Sequence, residues 1–358
     1  MMAISLDTRL TRLLGCRYPI IQTAMGWVAD PKLVAATGNA GGFGFLAGAT
    51  IEPQRMEAAI LETKRLTDRP FGVNFHMYQA NAGEIVELVL RHQVRAVSYS
   101  RSPGKAMIAR LKDAGVVCMP TVGALKHAVK AVEMGADAVT VQGGEGGGHT
   151  GTVPTSLLLG QVVGAVDVPV VAAGGFKDGR GLLAALALGA DGIAMGTRFL
   201  MSADSPVPKA TLERYLRVRD PAAIIVSRAI DGLPQRMIRN ELLDSLERSG
   251  GLKRLLLALR SSLAYRRHSG ASLAQLLGSA LKLGSSDGLT AAQTLMAANA
   301  PMVIQKAMVE GRPAEGVLPA GQVAASIDSL PGCAELIASI VQQAEQGLAE
   351  LCRRVEIS

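Results

Sequence analysis

Short apolar, β-branched runs recur along the first two hundred residues, and stretches with helical periodicity separate them. The runs predict strands at Pro19–Thr23, Gly42–Leu46, Phe71–Phe75, Ala96–Tyr99, Val116–Pro120, Ala138–Gln142, Pro169–Ala173 and Gly192–Met195. The helices between them have readable ends. Asp30-Pro31 caps and begins one that stops at Gly38, Glu52-Pro53 opens another that runs to Thr67, and Asp178 caps the run from Gly181 to Leu188, which Gly189 ends. Eight strands, one about every 20 to 30 residues with a helix in each gap, predict an eightfold β/α barrel, the TIM-barrel class of α/β fold. A doubly wound open sheet is the competitor, because a strand count does not prove closure. The nearest approach to a dinucleotide fingerprint, Gly38-Asn39-Ala40-Gly41-Gly42-Phe43-Gly44, enters a strand instead of leaving one and reads as a helix stop and turn.

After Ser202 the rhythm changes. Residues 205–300 are rich in Leu, Arg and Ser, hold helical stretches and offer few strands. The expected organisation is a barrel over 1–204, an inserted, mostly helical smaller domain over 205–300, and a C-terminal segment over 301–358 that packs back on the barrel. In that last segment Gly332 to Arg354 reads as an amphipathic helix with Ala334, Ile337, Ile340 and Val341 on one face.

Composition narrows the picture. Hydrophobic residues make up 49% of the 358 and aromatics only 3%, so the core is built from Ala, Val, Leu, Ile and Met, with 40 glycines for turns. The formal charge of +7 is local: Lys253, Arg254, Arg260, Arg266 and Arg267 occur in a stretch without acids. That stretch reads as a solvated helix face or as a surface for a phosphorylated carrier; without aromatic interleaving it does not suggest nucleic acid. Cys16, Cys118, Cys333 and Cys352 show no metal or redox spacing and read as reduced thiols, with Cys118 in the core. No stretch has the length of a signal peptide core or a membrane span, so the expectation is a cytoplasmic, soluble protein, its state as monomer or homo-oligomer left open.

In a barrel, function sits where the strands end. Gln22 and Thr23 follow the first strand, Asn74 and His76 the third, Thr121 the fifth, Gln142 to His149 the sixth, Gly174-Gly175 the seventh, and Gly196-Thr197-Arg198 the eighth. Ala173-Gly174-Gly175 and Gly196-Thr197 form two glycine turns in the loops where barrels often bind phosphate. A cofactor with its phosphate there and its ring over the barrel mouth is FMN, with Asn74, Gln142 and the backbone near Ala24-Met25 at the ring edge. Gln22 and Asn74 read equally well as structural hydrogen-bonders.

The stretch VQGGEGGGHTG (141–151) nearly spells a phosphate loop, but His149 stands at the lysine position. With the better phosphate site elsewhere, the loop glycines, Gly147 and Gly148 among them, are expected to bring backbone close to the flavin. His149 is the candidate catalytic base, working on an acidic carbon near its ordinary pKa of about 6.5. His76 is the second candidate; His92, His127 and His268 fall on predicted helices and are expected to face solvent. Glu145 reads as a loop orienter, a ribityl contact or a surface residue.

Together PIIQTAMGWV (19–28), NAGGFGFLAG (39–48), RPFGVNF (69–75), VQGGEGGGHTG (141–151), PVVAAGGFKDGRGLLAALALGADGIAMGTRFL (169–200) and AGQVAASIDSLPGCAEL (320–336) closely resemble the nitronate monooxygenase family. The resemblance implies an FMN barrel that converts an alkyl nitronate and oxygen into a carbonyl compound and nitrite. It places the catalytic histidine on His149, phosphate contacts on Gly174, Gly175, Gly196 and Thr197, and ring contacts near Ala24, Met25, Asn74 and Gln142. Some relatives carry Lys where Thr121 stands and others Asp where Gln142 stands. The family also includes NAD(P)H-dependent quinone reductases and enoyl reductases. The segments at 214–247 and 294–302 resemble a branch associated with bacterial steroid-ring breakdown, which implies instead a dehydrogenase or reductase acting on a bulky acyl-CoA, with the basic segment toward coenzyme A phosphate.

Overall fold

The computed structural model describes residues 6–51, 53–77, 81–100, 102–248 and 291–355. The chain divides into two compact units, one made of residues 1–146, 151–206 and 326–358, the other of residues 147–150 and 207–325. No helix among the described residues is long and apolar enough to cross a membrane.

The larger unit is a closed parallel barrel. In chain order its strands are β1 (Ile20–Gln22), β2 (Phe43–Leu46), β3 (Gly72–His76), β4 (Ala96–Ser100), β5 (Val117–Val122), β6 (Val139–Gln142), β8 (Val170–Ala173) and β9 (Gly192–Met195), with β7 (Gly148–His149) belonging to the other unit. β9 pairs with β1 in the register Ile20↔Ile193 and Gln22↔Met195, which closes the ring and removes the open-sheet alternative. Two glycine-started or cap-started helices follow the expected signals: Asp30 accepts from the Leu33 N–H to begin α2 (Pro31–Asn39), and Asp178 accepts from the Gly181 N–H to begin α8 (Gly179–Ala187).

Alternate strand residues form two layers, as a period of two requires. Ile21, Phe43, Phe45, Ala96, Val117, Met119, Ala138, Val171 and Ala194 form one cluster with Leu10 and Leu14 of α1 (Arg9–Leu14), which fills the barrel interior. Val73, Phe75, Val97, Tyr99 and Cys118 face the other way, into the helix layer. Cys118 is fully buried, and burial pushes its thiol up to about 12, so it is inert core. Arg9 holds α1 in place through a two-pronged contact with Asp191, at 2.9 Å and 2.7 Å.

The C-terminal helix α13 (Cys333–Arg354) packs on α8 so closely that a Cβ on Gly179 would overlap the Ile340 carbonyl. Its buried face is Cys333, Leu336, Ile337, Ile340, Val341 and Ala344. Ala334, expected on that face, is exposed, because Cys333 and not Ala334 completes the i, i+3, i+4 stripe. His92, expected to face solvent, ends α4 (Ala82–Arg91) with its ring turned in and Nε2 at 2.8 Å from Glu57; His127 is exposed. His268 lies outside the described residues.

The smaller unit contains helices α10 (Lys209–Leu216), α11 (Glu241–Arg248) and α12 (Ala291–Met308) and a three-stranded antiparallel sheet in the order β10 (Ile224–Ser227), β11 (Gln235–Ile238), β7. Its core gathers Ala229, Ile230, Met237, Leu243, Ala300 and Val317. Asn240 caps α11 through the Leu243 N–H and donates to the carbonyls of Pro313 and Gly316, both at 2.7 Å, pinning the chain that follows α12. The sheet gave no sequence signal, since β7 is two residues of a glycine run and β10 and β11 are four residues each.

Candidate active site

At the mouth of the barrel, β3 and β4 carry two polar cross-strand pairs. Asn74 opposes Ser98 and His76 opposes Ser100 in the register. Asn74 Nδ2 donates to Ser98, at 3.1 Å to the carbonyl and 3.0 Å to Oγ, while His76 Nδ1 lies 2.6 Å from Ser100 Oγ. Both pairs share the inward face with Ala96, one and two steps of the pleat away. Gln22 has the opposite parity. It is fully buried behind β2, its Nε2 donating to the carbonyls of Thr23 and Phe45 and its Oε1 without a hydrogen-bond partner, and Gly44 has no side chain because a Cβ there would lie 2.9 Å from that oxygen. Gln22 is thus structural, while Asn74 faces the mouth.

The loop after β6 turns back on itself through its glycines. A Cβ on Gly143 would overlap Thr155, and one on Gly146 would lie 2.8 Å from the Gln142 amide. Glu145 Oε2 accepts from the N–H and the hydroxyl of Thr155, the first residue of α7 (Thr155–Val163). The same hydroxyl lies 3.0 Å from the Gly174 carbonyl, so Glu145 orients its loop and connects it to the turn after β8.

That turn and the one after β9 were expected to cradle a phosphate. Gly174 and Gly175 adopt φ of +102° and +87°, a conformation that side-chain-bearing residues rarely take, and a Cβ on Gly174 would lie 2.9 Å from Thr155 Oγ1. Gly196 precedes the short helix α9 (Thr197–Leu200), and a Cβ on it would meet Thr23 Cγ2 at 3.2 Å and Met25 Sδ at 3.4 Å. Ala24 packs against the interior cluster, and Met25 accepts from Val28 and Ala29 to close the β1 loop. The structure therefore brings Ala24, Met25, Asn74, Gln142, Ala173, Gly174, Gly175, Gly196 and Thr197 together in the barrel unit. Backbone donors, a threonine and neutral amides, with glycine where a Cβ would cover them, fit a phosphate and a hydrogen-bonding ring. Arg198 does not join them. It is 5% exposed, donates through Nη2 to the carbonyls of Met201 and Ser329, and burial pulls its pKa below the usual arginine value. Thr121 stands on β5 opposite Thr140.

Trp27, in the β1 loop, has φ of +62°, an outlier for a bulky residue, and its N–H donates to Thr50 Oγ1 at 3.1 Å. The sequence reading passed over it.

Gly147, Gly148 and His149 fall in the smaller unit. A Cβ on Gly147 would lie 2.6 Å from the backbone of Ala320 and Gly321, so this glycine answers to protein packing; Gly148 needs its freedom for a φ of +69°. β7 pairs with β11, His149 opposite Gln235 and Gly148 opposite Arg236. His149 Nε2 lies 2.7 Å from Asp231 Oδ2. The imidazole side chain is 58% exposed and the carboxylate only 8%. Burial by itself would push the Asp231 carboxyl up, but the hydrogen bond and charge of His149, with donation from the Leu233 N–H and Gln235, hold it below the ordinary aspartate range. Asp231 and Gln235 were missed. The Asp231-Gly232 pair is a turn signal in the sequence, yet nothing in it shows a partner 82 residues away. The segment from Lys253 to Arg267 lies outside the described residues.

Comparisons place this geometry among known proteins. The profile described as nitronate monooxygenase matches residues 7–95 and 81–343. A (3aS,4S,5R,7aS)-5-hydroxy-7a-methyl-1-oxo-octahydro-1H-indene-4-carboxyl-CoA dehydrogenase of Rhodococcus jostii (strain RHA1) is 49% identical over 340 residues, 95% of this chain and 96% of that protein. A probable nitronate monooxygenase of Staphylococcus aureus (strain JH9) is 30% identical over 289 residues, 68% of this chain and 81% of that one. Among solved structures, FabK from Thermotoga maritima superposes with a TM-score of 0.80 at 29% identity, covering 98% of this chain and 99% of its own. An eightfold barrel with this mouth and this match along nearly its whole length is a flavin-type oxidoreductase, and the chain belongs to the nitronate monooxygenase family.

Proposed function

We propose that this protein is an FMN-dependent dehydrogenase of a bulky, ring-bearing acyl-CoA thioester, with His149 as its base. The observation that carries the reading is the 49% identity to the indene-carboxyl-CoA dehydrogenase, which runs through the smaller unit as well as the barrel and covers 95% of the chain. The nitronate monooxygenase relative reaches 30% over 68%.

Gly174, Gly175, Gly196 and Thr197 would hold the FMN phosphate, with Asn74, Gln142 and the backbone of Ala24 and Met25 at the ring. A bound flavin supplies a two-electron acceptor that no side chain of the chain can provide. The proton is the work of the protein: a carbon beside a thioester carbonyl is acidic, and His149 removes its proton while the adjacent carbon gives up hydride. The run from Lys253 to Arg267 brings positive charge suited to the phosphates of coenzyme A.

Nitronate oxidation is the second reading, favoured by the family profile. There His149 acts as a base only when the neutral nitroalkane is offered, removing the proton beside its nitro group; a nitronate arrives with that proton already gone.

Anaerobic titration of the purified protein separates the two. The ring-bearing acyl-CoA named for the Rhodococcus relative should bleach the visible flavin band, and propionate-3-nitronate should not. Bleaching by the nitronate alone would transfer the proposal to the second reading, and a protein purified without flavin that takes up none would defeat both.

A further inference from the structure

His149 has a built-in partner that the family resemblance does not supply. β7 is only two residues long, and its pairing with β11 sets His149 against Gln235. The turn between β10 and β11 then brings Asp231 under the ring. This turn is itself fixed: the Leu233 N–H donates to Asp231 Oδ1 at 3.0 Å, Gly232 takes a φ of +85°, and its N–H donates to the Arg228 carbonyl at 3.0 Å. The second carboxylate oxygen, Oδ2, receives both His149 Nε2 and Gln235 Nε2. Asp231 and Gln235 are 6% and 3% exposed, so the carboxylate is a buried acceptor whose donors are set by backbone register.

We propose that Asp231 is the positioning residue of His149: it holds the ring in the Nε2–H tautomer, stabilises the imidazolium formed when the ring takes a proton, and is itself aimed by Gln235. A neutral imidazole carries one N–H, so with that proton on Nε2 the basic lone pair is on Nδ1, and proton exchange with substrate runs through Nδ1. The proton taken from the substrate carbon forms a new N–H on Nδ1, the ring becomes cationic, and the fixed carboxylate 2.7 Å away offsets that charge without moving. The proposal rests on the reading of His149 as the base.

Asp231→Asn is the discriminating change. Asp231 uses both oxygens as acceptors, whereas Asn has one oxygen. If that oxygen stays with the Leu233 N–H, the amide NH2 faces His149 and drives the ring to the Nδ1–H tautomer, with the lone pair on the wrong nitrogen. If it stays with His149, a buried backbone N–H loses its acceptor.

The test is ¹⁵N NMR of the His149 ring in the full-length protein at a pH where the ring is neutral, together with steady-state kinetics. The native protein should show Nε2–H, and Asp231→Asn should shift the ring to Nδ1–H with kcat lower by about 10²- to 10⁴-fold and KM nearly unchanged. Gln235→Leu, which leaves Asp231 in place, should give a smaller fall in kcat of about 10-fold. A native ring protonated on Nδ1 overturns the proposal even if Asp231→Asn does not fold, and so does Asp231→Asn with native kcat. If His149→Ala keeps full turnover while the tautomer still follows Asp231, the base assignment fails and the positioning by Asp231 stands.

Discussion

One carboxylate oxygen of Glu145 receives both the backbone N–H of Thr155, at 2.8 Å, and the Thr155 hydroxyl, at 2.7 Å. The contact spans ten residues of a glycine-rich loop that has few side chains to hold it, and it reaches the turn at Gly174 through the same hydroxyl. Glu145→Ala should cost about 1–3 kcal/mol by leaving two donors without this acceptor. Glu145→Gln keeps an oxygen there and should stay closer to native. Denaturant unfolding of the two variants, with flavin affinity by equilibrium dialysis, checks the order.

The two adjacent glycines after β8 should differ in their tolerance. A Cβ on Gly174 would lie 2.9 Å from Thr155 Oγ1 and 3.1 Å from the Gly146 nitrogen, whereas one on Gly175 meets nothing closer than Glu145 Cβ at 3.6 Å. Both have positive φ, a cost of about 1–2 kcal/mol for alanine. Gly174→Ala adds overlap to that strain, so it should lower stability and flavin affinity more than Gly175→Ala.

A second contrast separates Gly147 from Gly148. Gly148→Ala has open space around its Cβ and should cost only the strain of its φ, about 1–2 kcal/mol. Gly147→Ala drives a Cβ into the backbone of Ala320 and Gly321 and should shift β7. Turnover should fall further in Gly147→Ala than in Gly148→Ala; equal loss in the two would mean that the packing at Ala320 does not govern His149.

Asp231 makes stability depend on pH. Its folded pKa lies below the unfolded value, so the native state is favoured whenever the unfolded carboxyl would be ionised. The contribution is fully present above an unfolded pKa of about 3.9 and is lost as pH falls through the lower folded value. The stability gap between native protein and Asp231→Asn, measured by urea unfolding from about pH 5 downward, should narrow as the pH falls through the aspartate range. A gap that widens with acid over that range would contradict the sign.

Much of the barrel was legible because its signals are local. Asp30 and Asp178 cap the helices they were expected to cap, and β9 covers the same residues, Gly192–Met195, as its apolar run. The glycine turn after β8 was readable because Gly174 and Gly175 answer to a backbone angle. Gln22 and Asn74 could not be told apart by composition; the pleat separates them, one facing the helix layer and the other the mouth. Asp231 was invisible for a different reason. Its role comes from a two-residue strand whose partner is far along the chain, and no periodicity records such a pairing.

The discontinuity of the smaller unit also sets an order of events during synthesis. The tetrapeptide 147–150 leaves the ribosome before β8 and β9, and all eight barrel strands are complete by Met195, whereas β10 begins only at Ile224. At about 5–20 residues per second, the 82 residues from His149 to Asp231 take roughly 4–16 s to make. A nascent chain ending at Pro206 thus already owns every barrel strand and its histidine, while the carboxylate that aims the histidine has yet to be translated.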